Sequence, residues 1–225
     1  MSRFSGRREA AIGLATYAAY LGVRALVLHA GGRERAAANA RRLVAFEQRL
    51  GLQVEPRVQG LALRTPRLLQ VLNVGYVTLN VVVTIGWAML LHRRRDPAFH
   101  RLRRALVLAT LAAQPGHLLF PCDPPRSLEH MVDTVGEVID LDSGLVVRLY
   151  NPVAAFPSIH LAFAVVTATG LRERARSPLV RALAPVYPPA VFVTVVATAN
   201  HYVLDGIAGS ALAAAALRVS RALGR

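Results

Sequence analysis

Long apolar runs separated by short polar segments dominate the hydrophobic pattern of this chain of 225 residues. Six runs approach the roughly 20 apolar residues that a helix needs to cross a hydrocarbon core of about 30 Å. They cover residues 10–30, 68–91, 105–120, 152–171, 179–199 and 202–219. The pattern therefore predicts an all-α fold, a polytopic membrane helix bundle with six transmembrane helices.

Helix-breaking residues disturb two of these runs. The third run is short and is interrupted by Gln114, Pro115 and Gly116. The fifth run contains three prolines, which predict a kink because proline lacks the N–H of an interior helical hydrogen bond. No small-residue cleavage site follows the first run, so we expect that run to stay as an anchor rather than act as a signal peptide.

The segment between the first two runs, residues 33–63, is too polar to cross a bilayer. Within it Leu43, Phe46 and Leu50 recur at helical spacing among charged neighbours. This spacing predicts an amphipathic helix that lies on the lipid surface or packs on the bundle. We therefore divide the chain into an N-terminal anchor helix with this interfacial segment (residues 1–65) and a membrane domain (residues 66–225).

Composition supports a membrane protein, since 54% of the residues are hydrophobic, 18% are charged and the mean hydropathy is +0.38. The net charge of +14 comes from arginine alone, and the arginines stand mainly at the ends of apolar runs. We therefore attribute the charge to membrane topology and expect no nucleic-acid partner. The single cysteine, Cys122, excludes an internal disulfide and a cysteine-rich metal site.

Charge asymmetry between the connecting segments predicts an orientation. Residues 93–104, residues 172–181 and the C-terminal tail are rich in arginine, whereas the loop 121–151 holds six acidic residues against Arg126 and Arg148. The positive-inside rule then places both termini in the cytoplasm and the acidic loop outside a multi-pass plasma membrane protein. The basic segment 33–63, assigned outside, does not follow the rule.

Three polar clusters interrupt this pattern at one predicted membrane face. The third run ends in a cluster that includes Arg126, the fourth opens on residues 151–160, and the sixth opens on residues 200–206. Because the fourth and sixth runs are both antiparallel to the fifth, they begin on the same side. The pattern therefore predicts a polar site at the outer bilayer surface.

The residue types in these clusters suit phosphoryl transfer. His201 and Asp205 are four residues apart, so on a helix the carboxylate can hold one imidazole nitrogen as N–H and leave the other free to attack. His160 can protonate a leaving oxygen. Ser158 lies near a helix start, where backbone N–H groups favour a phosphate, and Arg126 offers a planar charged fork for its oxygens.

The motifs in these clusters are Pro-Pro-Arg at 124–126, Asn-Pro-x-Ala-Ala-x-Pro-Ser-x-His at 151–160 and Asn-His-Tyr-x-x-Asp at 200–205. In this order they resemble the type-2 phosphatidic acid phosphatase superfamily, and more closely its inositol phosphorylceramide synthase-like (inositolphosphotransferase) branch. The resemblance covers roughly residue 68 to the end. Residues 38–59 also look like the helix that precedes that domain.

The resemblance implies a role for each matching residue. His201 would form a phosphohistidine, Asp205 would orient it, and His160 would be the general acid and then the base. Arg126 and Ser158 would hold the phosphate of a membrane lipid. The resemblance implies neither a metal ion nor an organic cofactor.

Three departures from the hydrolytic members agree with the synthase-like branch. Leu119 replaces a lysine, Val195 replaces an arginine and Ile159 replaces a glycine. Because the phosphate then has fewer cations around it, Arg148 becomes a candidate second phosphate contact.

Other interpretations stay open at several positions. Arg126 could anchor the chain at the membrane interface, and Tyr202 could be an interfacial aromatic residue or a hydrogen-bond donor to the phosphate. Four acidic residues lie on one face of a possible helix beside His130, where a solvated surface is more ordinary than a metal site. They are Glu129, Asp133, Glu137 and Asp140.

Alternatives also remain for the function as a whole. The enzyme could be a phosphatase that hydrolyses a phospholipid or a polyprenyl (di)phosphate, rather than a phosphotransferase that passes the group to an alcohol. It could also process a nucleotide or sugar phosphate. A non-catalytic transporter or scaffold would be marked by a damaged triad, and His160, His201 and Asp205 are all present.

Overall fold

The computed structural model of the protein describes residues 4–136 and 151–224. In these ranges the regular structure is helical, and extended backbone pairs at one isolated bridge, between Cys122 and Ala154. The α-helices are α1 (Gly6–His29), α2 (Gly32–Arg49), α3 (Glu55–Leu63), α4 (Pro66–Val74), α5 (Asn80–Arg93), α6 (Ala98–Leu119), α7 (Ile159–Arg174), α8 (Pro178–Leu183), α9 (Tyr187–Ala197) and α10 (Val203–Ala222). The predicted all-α fold is confirmed for the described residues.

Helices α6, α7 and α10 form the centre of the bundle, because each packs against the other two. Helices α5 and α9 pack on α7, and α1 packs on α6. Small residues such as Ala105, Ala109 and Ala213 are fully buried where the central helices meet. These close contacts fix the start of α7 relative to the start of α10, which decides where the polar clusters lie.

Three helical stretches of the described chain are long and apolar enough to cross a membrane: Gly6–His29, Pro178–Ala197 and Val203–Ala222. Leu14 and Leu26 on α1 are 70% and 62% exposed, as expected for a helix that faces lipid. The chain is therefore a membrane protein. The second, third and fourth predicted spans coincide with α4–α5, α6 and α7, and their crossing of the bilayer stays a prediction.

The predicted kink in the fifth run is present, since a 3-10 turn at Ala184–Val186 separates α8 from α9. The interruption predicted in the third run is absent, because α6 continues through Pro115 to Leu119. One missing N–H does not end this helix, which packs on α7 and α10 along its length. The fourth run also differs, as α7 begins at Ile159 and residues 152–158 form a turn-rich approach to it.

Helix α2 occupies the segment predicted as an amphipathic helix. The face that it buries contains Ala36, Ala40, Leu43 and Glu47, and it packs near the start of α10. Of the predicted apolar stripe, Leu43 lies on this packed face, whereas Phe46 and Leu50 are each 51% exposed. The contact places α2 on the bundle and buries a glutamate, a feature that the apolar spacing alone does not predict.

Residues 128–136 do not form part of the acidic helix considered above, because Glu129 lies in a turn and Asp133 in irregular backbone. The backbone of this segment is held by two amides, since Gln59 bonds both backbone groups of Val132 and Asn73 donates to the Thr134 carbonyl. In the part of the chain that the structure describes, no group of three metal-ligating side chains occurs. Glu137 and Asp140 lie outside the described residues.

Candidate active site

Two histidines meet where α7 and α10 begin. Ser158 caps α7 by accepting the Leu161 N–H at its hydroxyl, which places His160 in the first turn of that helix. His201 lies two residues before α10. The Nδ1 atom of His160 is 3.3 Å from the Nε2 atom of His201. The predicted convergence of the fourth and sixth runs is therefore present.

Hydrogen-bond partners define the tautomers of both rings. The Nδ1 atom of His201 lies 2.9 Å from the carbonyl oxygen of Ala155 and 3.2 Å from Oδ2 of Asp205. A carbonyl oxygen only accepts, so His201 carries its proton on Nδ1 and has a lone pair on Nε2. His160 then donates its Nδ1–H to that lone pair.

Asp205 is 0% exposed and joins the two helix starts. Its Oδ2 atom accepts the Tyr202 N–H at 2.9 Å as well as facing His201, and its carbonyl oxygen accepts the Ser158 N–H at 3.0 Å. The sequence predicted that His201 and Asp205 share a helix face. The structure instead places His201 before the helix and Asp205 at its third position, and the two side chains still pair.

Arg126 lies in a 3-10 turn behind this pair and is 8% exposed. Its guanidinium bonds Oδ1 of Asn200 and lies 3.4 Å from Oδ2 of Asp133, and its backbone N–H donates to the Ala199 carbonyl. The positive charge of Arg126 acts electrostatically on both His160 and His201. Burial raises the pKa of the nearby Asp123 above its usual range, and the charges of Arg33 and Arg126 oppose that shift.

A small cavity of about 60 Å³ opens at the two imidazoles. Its walls come from six parts of the chain and include aromatic and amide side chains as well as the histidines. They include Tyr20, Tyr76, His117, Asn151, Ile159 and Asn200. His117 donates through Nε2 to the Pro157 carbonyl, because that oxygen only accepts. The cavity is of a size to admit a compact polar group next to His160 and His201.

The remaining predicted residues lie in different places. Ser158 is buried and its hydroxyl caps α7, with its neighbour Ile159 lining the cavity. Tyr202 is 1% exposed and packs in an apolar cluster with Leu43 and Cys122, away from the cavity walls. Arg148 lies outside the described residues.

Several residues around the histidines were not predicted from the sequence. The Tyr76 ring lies 4.8 Å from that of His160, in a π-helical turn at Gly75–Leu79, a distortion often found at functional sites. Asn80 donates to the His160 carbonyl and accepts the Tyr187 hydroxyl. Of these residues, Asn80 could have been found from the sequence, because a polar residue inside an apolar run is buried and its amide then requires hydrogen-bond partners.

Comparison with known proteins gives one match. A family model described as the PAP2 superfamily matches residues 41–219, well over half of the chain. The range includes both histidines, Asp205 and Arg126. No curated protein and no solved structure matches the chain.

Proposed function

The chain belongs to the PAP2 superfamily, which suggests a lipid phosphatase or phosphotransferase, and we propose that it is an integral membrane phosphotransferase. It moves a phosphoryl group or phospho-headgroup from a lipid donor to an alcohol acceptor through a phosphohistidine on His201. The observation that carries this proposal is the contact between His160 and His201, with Asp205 on the far side of the His201 ring.

The first half of the reaction uses the tautomers derived above. The Nε2 lone pair of His201 attacks phosphorus and the bond from phosphorus to the leaving oxygen breaks. His160 enters this step as the imidazolium, with a proton on each ring nitrogen, and gives its Nδ1 proton to the leaving oxygen, so that it ends the step as a neutral imidazole. Asp205 and the Ala155 carbonyl hold the Nδ1–H of His201 and stabilise the charge that the ring gains. No metal or organic cofactor takes part.

The second half reverses these roles. His160, now without its proton, accepts one from an incoming alcohol or water, whose oxygen attacks phosphorus as the bond to His201 Nε2 breaks. An alcohol gives a new phosphodiester or phosphomonoester, and water gives hydrolysis. Arg126 and the N-terminus of α7, with Ser158 at its cap, supply the positive field for the phosphate. We retain Arg148 as a proposed second contact and Tyr202 as a residue that supports the site.

The proposed setting is the outer face of the plasma membrane, with both termini in the cytoplasm. The site lies at one end of helices that are apolar enough to cross a bilayer, so a lipid can reach it laterally. Transfer to an alcohol is favoured over hydrolysis by Leu119, Val195 and Ile159, which replace the residues expected in hydrolytic members. Hydrolysis of a phospholipid or polyprenyl (di)phosphate is the second candidate.

Product analysis tests this proposal. We expect the purified protein, with EDTA present, to consume phosphatidic acid, phosphatidylinositol or a polyprenyl phosphate, and to form a new phosphoester when inositol or a lipid alcohol is added. Release of inorganic phosphate at the same rate with and without each alcohol would assign hydrolysis instead. Absence of turnover across the panel would contradict both assignments.

Substrates with different leaving groups test the role of His160. In His160→Ala, turnover of an alkyl lipid phosphate is expected to fall by about 10²–10⁴-fold, because the leaving alkoxide lacks a proton donor. A lipid-tailed nitrophenyl phosphate should lose much less, since its leaving group departs without protonation. Equal losses on the two substrates would exclude His160 as the general acid. His130→Ala, which replaces an exposed histidine, is the control.

A further inference from the structure

Two buried glutamates lie under the first turn of α10. Glu47, near the end of α2, is 0% exposed, and Glu55, the first residue of α3, is 2% exposed. Oε1 of Glu47 accepts the Leu204 N–H at 2.7 Å, and Oε1 of Glu55 accepts the Val203 N–H at 3.0 Å. The first N–H groups of a helix have no partner within the helix, so these contacts satisfy amides that would otherwise be buried without one.

Asp205 completes this arrangement. Its Oδ2 atom accepts the N–H of Tyr202, so three consecutive backbone N–H groups, at residues 202–204, each donate to a different carboxyl group. His201 directly precedes this run, and Asp205 also holds its Nδ1–H. The position of the His201 ring is therefore tied to amides that α2 and α3 hold from outside α10.

We propose that Glu47 and Glu55 are positioning residues that fix the first turn of α10 and thereby aim His201 at the phosphate. The proposal rests on the proposed function of His201 and Asp205. It gives α2 and α3 a part in the reaction, although neither glutamate lines the cavity. Each glutamate accepts from one particular amide, so the two bonds together constrain the rotation of the first turn of α10 as well as its position.

The charge state of the pair follows from its surroundings. Burial, together with a smaller contribution from the neighbouring Glu55 carboxyl, raises the pKa of Glu47 to about 8, although the hydrogen bond from the Leu204 N–H opposes this shift. Asp205 on α10 also faces Glu47, as do Cys122 and Tyr202. At neutral pH Glu47 therefore keeps its proton, and its carbonyl oxygen still accepts the Leu204 N–H. Ionisation of Glu47 above about pH 8 adds a negative charge next to the carboxyl groups of Glu55 and Asp205.

Hydrogen exchange in the absence of substrate tests the positioning directly. We expect Glu47→Ala and Glu55→Ala to speed amide exchange in the peptide that contains residues 202–205, relative to wild type. Glu34→Ala, an exposed glutamate on the same helix α2, should not. Unchanged exchange in both alanine variants would overturn the proposal. This readout does not depend on turnover, so it separates a failure of the positioning from a failure of the proposed function.

The pH profile of turnover separates positioning from general stability. With phosphatidic acid in detergent micelles, Glu47→Ala should lower kcat by about 100-fold with a much smaller change in KM, as expected for a misplaced nucleophile. Glu47→Gln mimics the protonated carboxyl, so it should keep kcat near neutral pH and lose the decline that wild type shows above about pH 8. A wild-type decline that persists unchanged in Glu47→Gln would overturn the role of this pair, even if the alanine variants fail to fold.

Discussion

Replacing His201 by alanine is expected to abolish turnover and to prevent any covalent phosphoenzyme. The Nε2 atom of His201 carries the lone pair that attacks phosphorus, and the Nδ1–H of the same ring donates to Asp205, which orients the ring and stabilises the charge that it gains. Loss of a nucleophile removes the first chemical step, so kcat should fall by about 10⁴-fold or more, as in other sites whose members act as a unit. To check this result, the reaction with labelled lipid phosphate is quenched, and the label that stays on the protein is measured. A phosphohistidine is expected to be stable in base and labile in acid.

Matched variants show whether the loss is specific to the nucleophile. His130→Ala should leave both turnover and label intact, because His130 is exposed and lies outside the cavity. Asp205→Asn should retain some turnover, since the ring stays in place but loses the charge that stabilises it. Substantial label on His201→Ala would show that another residue is the nucleophile and would defeat the proposed mechanism.

Replacing Gly209 by alanine is expected to be the most damaging small substitution in the bundle. A Cβ atom at Gly209 would lie 2.1 Å from the carbonyl oxygen of Ser158 and 3.0 Å from its carbonyl carbon. Both are backbone atoms at the start of α7, so neither can turn aside as a side chain could. We expect the free energy of unfolding to fall by about 3 kcal/mol, at the upper end of overpacking costs.

The same substitution should also separate the catalytic groups. Any relief of the clash moves the start of α7 away from α10, which breaks the bond from the Ser158 N–H to the Asp205 carbonyl and widens the 3.3 Å contact between the imidazoles. Unfolding in detergent, followed by circular dichroism, and turnover of the same preparation provide the measurements. Gly22→Ala is the control, because its Cβ would meet nothing within 4 Å and alanine favours the helix. Equal stability of the two variants would show that the helices do not pack as described.

Much of this arrangement follows from the sequence because apolar runs mark where helices begin and end. The runs that contain His160 and Asp205 both begin at polar motifs, at residues 151–160 and 200–206, so the shared end of the bundle could be predicted without coordinates. Which of these residues lie within hydrogen-bonding distance of each other could not be predicted from the sequence. The start of α7 at Ile159 depends on the Ser158 cap, and residues 152–158 are apolar enough to be taken for helix.

The contributions of other segments were beyond prediction for a different reason. Glu47 follows Phe46 in a charged segment, and its spacing gives no indication that it is buried while Phe46 is exposed. Its partner amide belongs to Leu204, more than 150 residues later, and a long-range pair of this kind leaves no local pattern. Tyr20 and Tyr76 resemble ordinary aromatic residues of apolar helices until the fold brings them to the cavity.

The proposed division of the chain at residue 65 into an N-terminal segment and a membrane domain stays a prediction.

In the hydrogen bond between His160 and His201, each ring occupies the nitrogen atom that the other would use in the reaction. A phosphate must therefore displace an internal competitor before it can reach the Nε2 lone pair, which lowers the apparent affinity by the fraction of molecules in which the rings are apart. This loss of apparent affinity matters little for a lipid substrate, because a lipid in the same bilayer is concentrated beside the site. It matters more for a phosphate that is dilute in bulk water. The hydrogen bond between the two histidines would thus favour lipid phosphates over soluble phosphate esters without any contact to the lipid tail.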